Sequence, residues 1–329
     1  MHFSNTDISK LFKMDKTPRT LIKAEEEGRI PKAQRIQRGK VSVRQWPIAD
    51  IPQIGERYGF LKKPAKQQVI SSFVAKGGVL KTTLTFNMAR ILALHNIKTL
   101  IIGVDVQESI TSLVLGRPEI SNLNEFSMRN GLYELLKGKT NFNEVVQKTD
   151  IPTLDIIPEN SNLTLLDFDI TKSPRMVDVF KDELLPLLKD YEAVIFDSSP
   201  NFNNLTKNIL TASNHVMAPI ACEIGTYQAL EQNLEILNRF KKEARLDWES
   251  YHLVPTLLDN NNLSKQIQGA YISQFPENIT NSSIKRTAKG QEASASQLSI
   301  FEYMPKSDLA DDYRSLFSEI WAKINNEEQ

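Results

Sequence analysis

Glycine, lysine and threonine side chains are concentrated in one short stretch of the chain, "AKGGVLKTTLTFN", residues 75–87. Gly77 and Gly78 permit backbone torsions and close approaches that let successive N–H groups surround phosphate oxygens. An apolar stretch precedes this segment and an amphipathic one follows it. A strand, a loop and the positive end of a helix would therefore meet there, which predicts a polyphosphate site.

The side chains after the glycines predict how the phosphates are held. Lys81 would reach the β- and γ-phosphates, and the Thr82 hydroxyl would coordinate Mg²⁺. Thr83 would add a hydroxyl near the α-phosphate. Val79 and Leu80 complete the predicted phosphate-binding loop.

Apolar, β-branched segments alternate with amphipathic segments beyond this loop, which predicts a doubly wound, mostly parallel α/β sheet. In such sheets ligands bind at the carboxyl ends of the strands, where residues 75–87 would lie. The predicted strands are 68–75, 99–105, 153–158, 192–197, 215–220 and 251–256. The predicted helices are 84–95, 128–137, 173–189, 203–212, 226–244, 263–273 and 307–325.

The charges are divided unevenly along a chain whose formal net charge is zero. Residues 1–66 contain 15 Lys and Arg against 7 Asp and Glu, and the remainder contains 25 against 33. A basic module joined to an acidic one indicates a polyanionic partner. We predict a DNA-binding domain over 1–60, a linker over 61–67 around Pro64, and a nucleotide-binding domain over 68–329.

The pattern K-G-G-x-x-K-T-T at 76–83 resembles the deviant Walker A motif of the ParA/MinD superfamily of P-loop ATPases. Leu80 stands where that family usually has glycine. The resemblance implies that ATP is the nucleotide and that the chain forms a homodimer. It also implies that Lys76 reaches the nucleotide of the partner subunit and that Lys76, Lys81 and Asp105 serve hydrolysis.

Two further segments carry the resemblance. The segment "IIGVDVQESITSLVLG" (101–116) is similar to the family's switch I, which implies that Asp105 orients the attacking water. Many members have an aspartate where this chain has Gly103. The segment "AVIFDSSP" (193–200) resembles the Walker B strand and switch II, which implies that Asp197 binds the water shell of Mg²⁺.

The resemblance extends over roughly residues 67–322, through 155–163, 215–232 and the carboxyl-terminal segments. It implies adenine contacts near Pro255 and at 284–287, which include Arg286. It also implies that late basic residues grip DNA without regard to sequence, an electrostatic and salt-sensitive contact. These residues are Arg239, Lys242 and Arg245. A solvated face is the alternative interpretation.

The first sixty residues predict a helix at 5–12, a second at 16–31 and a basic hairpin at 32–46. Thr17, Pro18 and Gly28 are typical of the N-cap, first turn and end of the second helix. This order resembles a MerR-like winged helix-turn-helix, and a basic helical cap with a dimerising role is the alternative. The implied DNA contacts are Thr17, Arg19, Thr20, Lys23, Arg35, Arg38, Lys40 and Arg44.

Taken with the motifs, the leading hypothesis is a slow, partner-stimulated ATPase that partitions plasmid or chromosomal DNA. Its expected partners are a second copy of the chain, a ParB-type centromere-binding protein, and operator or non-specific DNA. The amino-terminal domain would then regulate the partition operon. The alternatives are a MinD-like ATPase positioned on a membrane and a nucleotide-sensing transcription regulator.

Composition narrows these alternatives. The single Cys222 cannot supply the paired ligands of a bridging iron–sulfur cluster, which argues against a reductase of the nitrogenase iron-protein type. We find no signal peptide and no apolar run of about 20 residues, the length a membrane helix needs. The sequence therefore favours a cytoplasmic protein without a membrane partner, and the resemblance implies that it is associated with the nucleoid.

Overall fold

The computed structural model describes residues 1–14, 18–38, 41–116 and 129–325. Two sheets organise these residues, one of three strands near the amino terminus and one of seven strands beyond residue 67. The smaller sheet contains β1 (His2–Ser4), β2 (Gln34–Arg38) and β3 (Val41–Pro47). The larger contains β4 (Gln68–Ser72), β5 (Thr99–Val104), β6 (Gln147–Lys148), β7 (Leu154–Ile157), β8 (Ala193–Ser198), β9 (His215–Ala221) and β10 (Ser250–Thr256).

Helices cover both sheets, and many begin at a capping side chain. Asn203, Asn261, Thr287 and Ser307 each accept a backbone N–H from the first turn of the helix that follows. The α-helices of the described residues are α1 (Asn5–Leu11), α2 (Pro18–Glu26), α3 (Ile51–Tyr58), α4 (Lys81–Leu94), α5 (Ser109–Leu115), α6 (Leu132–Leu136), α7 (Phe142–Val145), α8 (Leu163–Ile170), α9 (Asn204–Ala212), α10 (Ile224–Glu243), α11 (Asn262–Gln274), α12 (Ala288–Ala295), α13 (Ile300–Tyr303) and α14 (Asp308–Ile324).

The larger sheet has the strand order β10-β9-β4-β8-β5-β7-β6. All neighbouring strands are parallel except β6, which pairs antiparallel with β7. Strands β4, β5, β7, β8 and β9 are buried along their whole length, as expected for a sheet with helices on both faces. This architecture confirms the predicted α/β fold. The loops after β4, β5 and β8 open at one edge of the sheet.

Helix α4 runs through the interior behind that edge. Its predicted apolar face, which includes Leu84, Met88 and Ile91, is buried, and so are most of the residues between them. A helix buried on nearly all sides cannot shift without disturbing its neighbours. The phosphate-binding loop is thus attached to a fixed element.

One predicted helix is wrong in its form. Residues 173–179 contain turns, and the rest of the predicted 173–189 helix is a π-helical turn, Phe180–Leu184, followed by a 3₁₀ turn, Leu185–Leu188. Pro186 accounts for the loss of regular α-helix at 180–188, because it has no N–H to donate to the carbonyl of residue 182 and its ring clashes with that carbonyl. The predicted 128–137 helix is limited to Leu132–Leu136, and residue 128 lies outside the described residues.

The carboxyl-terminal helix α14 is docked on the body of the protein. Its apolar stripe, Tyr313, Leu316, Phe317, Ile320 and Ile324, is buried in the main core. This stripe therefore packs against other residues of the main core. Among the helices of the described residues, none combines the length and the apolarity that crossing a membrane requires.

The amino-terminal region contains the predicted helices and hairpin together with two elements that we did not predict. Strand β1 pairs with β3, and β3 pairs with β2, so the hairpin becomes a three-stranded sheet. Helix α3 follows the hairpin. The buried Trp46 indole donates to the Pro31 carbonyl at 2.7 Å and ties β3 to the segment after α2.

This region packs directly on the nucleotide-binding part. Helix α3 lies on the carboxyl-terminal end of α4, where Phe12 and Phe60 enclose the His95 ring with centroid distances of 5.0 and 4.6 Å. Residues of α1, α3 and α4 belong to one continuous apolar core. The amino-terminal region is thereby fixed in orientation relative to α4.

The segment 61–67, which we predicted as a linker, is also packed. Leu61 is buried, and the Gln67 amide donates to the Leu188 carbonyl and, at 2.9 Å, to the Tyr191 carbonyl. The Trp321 indole of α14 donates to the Lys62 carbonyl at 2.8 Å. The polar composition of this segment is typical of a linker and does not indicate the hydrogen bonds that its main chain and the Gln67 amide form in the folded protein.

Candidate nucleotide site

The loop between β4 and α4 has the shape of an anion cradle. A Cβ built on Gly77 or on Gly78 meets no other atom of the described residues within 4 Å, so the backbone there borders open space. Gly78 has φ +75° and Leu80 has φ +71°, both in the left-handed region. Leu80 therefore adopts, at some cost in strain, a torsion that glycine would reach freely.

Lys81, the first residue of α4, lies inside this loop. Its side chain is buried, and its ammonium group donates to the Lys76 carbonyl oxygen at 2.6 Å. Burial lowers the pKa of Lys81, while Asp197 and Asp105 oppose that change. The ammonium is thus held by the Lys76 carbonyl, near enough to both acidic groups for their charges to act on it.

Asp197 ends the apolar part of β8 and is fully buried. Its Oδ1 accepts the Thr85 hydroxyl at 3.2 Å, whereas no donor among the described residues forms a hydrogen bond with its Oδ2. Burial raises the pKa of Asp197 to about 7, although the neighbouring Thr82 and Thr85 hydroxyls and the charge of Lys81 lower it. An unpartnered buried carboxylate oxygen beside the Thr82 hydroxyl is the donor set that Mg²⁺ prefers.

Asp105 follows β5 and is half-buried at the same edge. Its Oδ1 accepts the backbone N–H of Gln107 at 3.1 Å, which closes a tight turn. The next residue, Val106, is an exposed apolar side chain. The Asp105 carboxylate therefore projects from a structured turn.

A cleft of about 390 Å³ brings these groups together. The predicted residues that line it are Gly77, Gly78, Leu80, Lys81, Thr82, Thr83 and Asp105, joined by Gln107, Ser109, Ser198 and Pro200. Val79 is buried behind the loop, and Lys76 is half-buried beside it. The three sequence segments chosen for their chemistry thus converge on one space.

A second cavity of about 310 Å³ adjoins the cleft and shares Leu80 and Thr83 with it. Ile284, Arg286, Thr287 and Tyr313 contribute to its lining, which fits an apolar planar group with polar edges. Pro255 is not among the lining residues. It is buried within β10, where its carbonyl accepts the Ile284 N–H at 2.9 Å and so supports the wall.

Arg286 of this cavity is held by two acidic residues. Its guanidinium pairs with Glu223 and, at 3.3 Å, with Asp259. All three side chains are partly exposed, so the pairs contribute little to stability. They orient the Arg286 side chain along the rim of the cavity.

The candidate DNA contacts of the amino-terminal region differ from one another in exposure and in the residues that they contact. Arg19, Lys23 and Arg35 are exposed on α2 and β2, and Thr20 is half-buried. Arg44 pairs instead with Glu25 at 2.8 Å, which links β3 to α2. Arg38 is the last residue of β2, and Thr17 and Lys40 lie outside the described residues.

The later basic residues lie far along the chain from the hairpin, at the end of α10. Arg239 pairs with Glu243 at 2.8 Å within that helix, and both side chains are exposed. Lys242 and Arg245 are exposed as well, with Arg245 at φ +52° just after the helix. The cluster is a solvent-facing basic surface.

Sequence reasoning missed two residues that contact the predicted ones. Thr85 lies one helical turn after Lys81 and donates to Asp197. Glu159 follows β7 and accepts the Asp105 N–H at 3.2 Å. The only signal for Glu159 was the glycine at 103, since a strand-interior glycine often marks a close approach by another group.

Comparison with known proteins decides the family. The sequence model described as "AAA domain" matches residues 67–249, more than half of the chain. The chain belongs to the AAA domain family. The amino-terminal sixty residues lie outside that match.

Curated relatives support a narrower resemblance. The chromosome partitioning protein ParA of Caulobacter vibrioides is 29% identical over 222 residues, 66% of this chain and 80% of the relative. The sporulation initiation inhibitor protein Soj of Bacillus subtilis is 26% identical over 256 residues, 78% of this chain and 98% of the relative. These matches confirm the predicted resemblance to ParA-type partition ATPases.

Solved structures agree in fold. A McdA variant of Cyanothece in complex with ATP has a TM-score of 0.67 at 18% identity and covers 80% of this chain and 98% of its own. A plasmid partition protein of Borrelia burgdorferi bound to AMPPNP has a TM-score of 0.63 at 23% identity, with 78% and 99% covered. Cobyrinic acid a,c-diamide synthase of Mycobacterium smegmatis, solved with an ATP analogue and magnesium, has a TM-score of 0.64 at 21% identity. The match covers 80% of this chain and 97% of the synthase.

Proposed function

We propose that this protein is an ATPase that partitions DNA, in which ATP controls the association of two copies of the chain. One observation carries the proposal. The glycine cradle, Lys81 and Asp105 line one cleft at one edge of the sheet, and the fully buried Asp197 is bonded to Thr85 of α4, the helix that begins in that cleft. The ParA and Soj relatives support the partition role.

The loop residues would bind the triphosphate. The backbone at Gly77 and Gly78 borders open space, where its N–H groups would meet phosphate oxygens, and the amino-terminal end of α4 adds its partial positive charge. Lys81 would exchange its bond to the Lys76 carbonyl for the β- and γ-phosphates. The adjoining cavity at Leu80, Arg286 and Thr287 would receive the adenine.

Thr82 and Asp197 would hold Mg²⁺, Thr82 directly and Asp197 through bound water. When bound, the ion neutralises charge on the β- and γ-phosphates. Asp105 would accept a hydrogen bond from the attacking water and orient it toward the γ-phosphoryl group. Hydrolysis of this kind needs positioning and charge compensation, which these side chains provide without covalent chemistry.

Lys76 would complete the site of the opposite subunit. Its main-chain carbonyl accepts the Lys81 ammonium, and its half-buried side chain is not among the residues that line the cleft of its own subunit. In a dimer with facing cradles, each Lys76 would approach the partner's phosphates. ATP would then join the subunits, and hydrolysis would release them.

The amino-terminal domain, residues 1–60, would bind operator DNA through α2 and the β2–β3 hairpin. Arg19, Lys23 and Arg35 are exposed and basic, as phosphate contacts require. Arg44 is engaged by Glu25, so we assign it a structural part in that domain unless DNA displaces the acid. The surface of Arg239, Lys242 and Arg245 would add sequence-independent contacts.

In the cell, the dimer would associate with the nucleoid through these basic surfaces and would be released when a ParB-type protein stimulates hydrolysis. No described observation favours the membrane-positioning alternative, and the apolar stripe of α14 is occupied. Regulation of the partition operon by residues 1–60 is part of the same proposal.

The two lysines provide the decisive experiment. Lys81→Ala should abolish binding of a fluorescent ATP analogue, whereas Lys76→Ala should bind it but remain monomeric by light scattering with a non-hydrolysable analogue. Lys265→Ala, an exposed lysine on α11, serves as the matched control and should behave as wild type. Equal loss of nucleotide binding in the Lys76 and Lys81 variants would contradict the cross-subunit role, and a wild-type protein that neither binds nor hydrolyses ATP would end the proposal.

A further inference from the structure

Gly103 lies in β5 directly beside Asp197 of β8, its partner in the strand register. A Cβ on Gly103 would overlap the Glu159 Cγ and lie 2.6 Å from the Glu159 Cδ. The space next to a strand residue is normally filled by its own side chain. Here it is filled by an acidic side chain from the loop after β7.

Glu159 reaches this place from the loop after β7, and only 2% of it is exposed. Its Oε1 accepts the Asp105 N–H at 3.2 Å. Its Oε2 accepts the Thr111 N–H at 3.3 Å and faces the Thr111 hydroxyl at 3.2 Å. One carboxyl group thus ties the turn after β5 to the first turns of α5.

Thr111 also returns a bond to Glu159. The Glu159 N–H donates to the Thr111 hydroxyl at 2.8 Å, so the two residues are joined through both side chain and main chain. Such reciprocal bonds between buried groups fix relative position more strongly than one bond would. The segment 105–111, which holds Asp105 and Gln107, is anchored at both of its ends.

The electrostatic surroundings of Glu159 are costly for a purely structural residue. Burial raises its pKa well above the usual range, and the charges of Asp197 and Asp105 raise it further, although backbone hydrogen bonds from Thr111 and Asp105 oppose this. A third acidic group beside two others, all buried or half-buried, lowers the stability of the empty protein. Such arrangements are concentrated at functional sites.

We propose that Glu159 is a positioning residue for hydrolysis, which holds Asp105 and the start of α5 in place from across Gly103, and that residue 103 is glycine to admit it. The inference rests on the proposed ATPase function, because Asp105 is the group being positioned. In this chain, the acidic group beside Asp105 is therefore the side chain of Glu159, which comes from the loop after β7, and not a side chain of β5.

Three variants test the proposal by single-turnover hydrolysis and nucleotide binding. Glu159→Ala should lower the hydrolysis rate at least about tenfold, a loss of about 1.4 kcal/mol of transition-state stabilisation. It should leave nucleotide affinity within about threefold, because the cradle at Gly77 and Gly78 is not touched. Glu159→Gln should retain an intermediate rate, since its amide oxygen can still accept the Asp105 N–H.

A further variant changes Gly103, beside which the Glu159 side chain lies. Gly103→Asp in the presence of Glu159 should be slow and destabilised, because the two side chains overlap. A Cβ at position 103 would also lie 2.7 Å from the Ile110 Cγ2, so this comparison is made in an Ile110→Ala background. In that background, Gly103→Asp combined with Glu159→Ala should be faster than Glu159→Ala, because a carboxyl group then re-enters the vacated space from β5. A variant with Gly103→Asp that is no faster than its matched parent would overturn the requirement for a carboxyl group at this point.

Glu134 provides a matched control. It is a buried acid that binds the same β7 loop through Asn160 and Asn162, at 3.1 and 2.7 Å, without contact to Asp105. Glu134→Ala should therefore destabilise the loop yet leave the hydrolysis rate within about twofold. If Glu159→Ala and Glu134→Ala lose the same rate and the same stability, Glu159 is structural only and the proposal fails.

Hydrogen exchange separates this proposal from the proposed function. In Glu159→Ala, amides of 105–111 should exchange at least about tenfold faster while those of 77–83 are unchanged. This readout holds even if the wild type hydrolyses no ATP, in which case the ATPase assignment fails and the anchoring does not. Unchanged exchange at 105–111 would overturn the positioning role whatever the hydrolysis rate.

Discussion

Gly55 of α3 packs against the Leu94 carbonyl at the end of α4, so closely that a Cβ on Gly55 would overlap that oxygen and lie 2.9 Å from its carbon. Helices approach this closely only where one of them lacks a side chain. The contact joins the amino-terminal region to the helix that begins at the phosphate-binding loop. A displacement of α4 would therefore be transmitted to α3.

Substitution of Gly55 tests this contact. Gly55→Ala should destabilise the protein by about 2–4 kcal/mol, because the obstructing atoms are backbone and cannot rotate away. Urea denaturation followed by tryptophan fluorescence measures the loss, since Trp46 and Trp321 are buried near the junction. The matched control is Gly269→Ala on α11, where a Cβ meets nothing within 4 Å and the change should stabilise by up to about 1 kcal/mol.

The buried ion pair inside the protein gives a second prediction. Arg90 of α4 and Glu302 of α13 are both almost fully buried and paired, and the more exposed Asp150 binds the same guanidinium at 2.6 Å. Arg90→Met should cost about 3–5 kcal/mol because it leaves Glu302 charged and buried. Asp150→Asn should cost less than about 1 kcal/mol, because the Asp150 carboxylate is exposed. The denaturation midpoints of the two variants, measured in urea, should therefore differ clearly.

The double variant Arg90→Met with Glu302→Leu decides how that cost arises. It removes both charges, so it should recover a large part of the stability lost in Arg90→Met. If instead the losses simply add, the pair contributes through packing, and burial of an unpaired charge is not the cause.

The glycine-containing loop between β4 and α4 could be predicted from the sequence because its signal is local. Its glycines, Lys81 and Thr82 are adjacent in the chain, and the flanking strand and helix have clear periodicities. The geometry of Leu80 could not be predicted, since only the folded loop imposes φ +71° on it. The role of Glu159 could not be predicted for a different reason: it contacts Asp105, from which it is separated by 54 residues of sequence and two strands.

The amino-terminal region shows the same limit. Its two helices and hairpin were predicted from caps and alternation, and the bounds of α1 and the hairpin lie close to the predicted ones, whereas α2 ends at Glu26, five residues before the predicted end. The packing of α3 on α4 was not predicted, because the apolar residues Ile51 and Ile54 indicate a buried face without indicating its partner. Whether residues 1–60 act as a winged helix-turn-helix stays a prediction.

Asp197 yields a prediction that separates stability from function. Its pKa is raised to about 7, so the folded protein holds this proton more tightly than the unfolded chain does. The ionised carboxylate therefore destabilises the fold above about pH 7. Asp197→Asn should stabilise the nucleotide-free protein by about 1–3 kcal/mol at pH 8, and by less as the pH falls from 7 toward 4.

The same variant should lose the thermal shift that Mg²⁺ and ATP together give the wild type, because the unpartnered Oδ2 is its proposed link to the ion. Thermal denaturation at pH 8 and pH 5.5, with and without Mg²⁺ and ATP, measures both effects. Asp190→Asn, at an exposed position, is the control. An Asp197→Asn protein that keeps the full shift would refute the assignment.

Acid should weaken the junction at His95. The ring is buried between Phe12 and Phe60, its Nδ1 lies 2.7 Å from the Ile91 carbonyl, and its Nε2 has no hydrogen-bond partner in the described part of the chain. Burial lowers the pKa of His95 to about 4. Below pH 6.5 the unfolded chain gains a proton that the folded protein refuses, so stability present at neutral pH is lost as the pH falls toward 4.

The contribution of His95 to that loss should be about 3 kcal/mol between pH 6.5 and pH 4. His215 and His252 have their pKa values lowered to about 4 and about 3 and act in the same direction. His95→Leu should flatten the pH dependence of the unfolding free energy by about the His95 share, whereas His2→Gln, at an exposed position, should not. An unaltered slope in His95→Leu would mean that the ring is protonated in the folded protein and that the junction tolerates its charge.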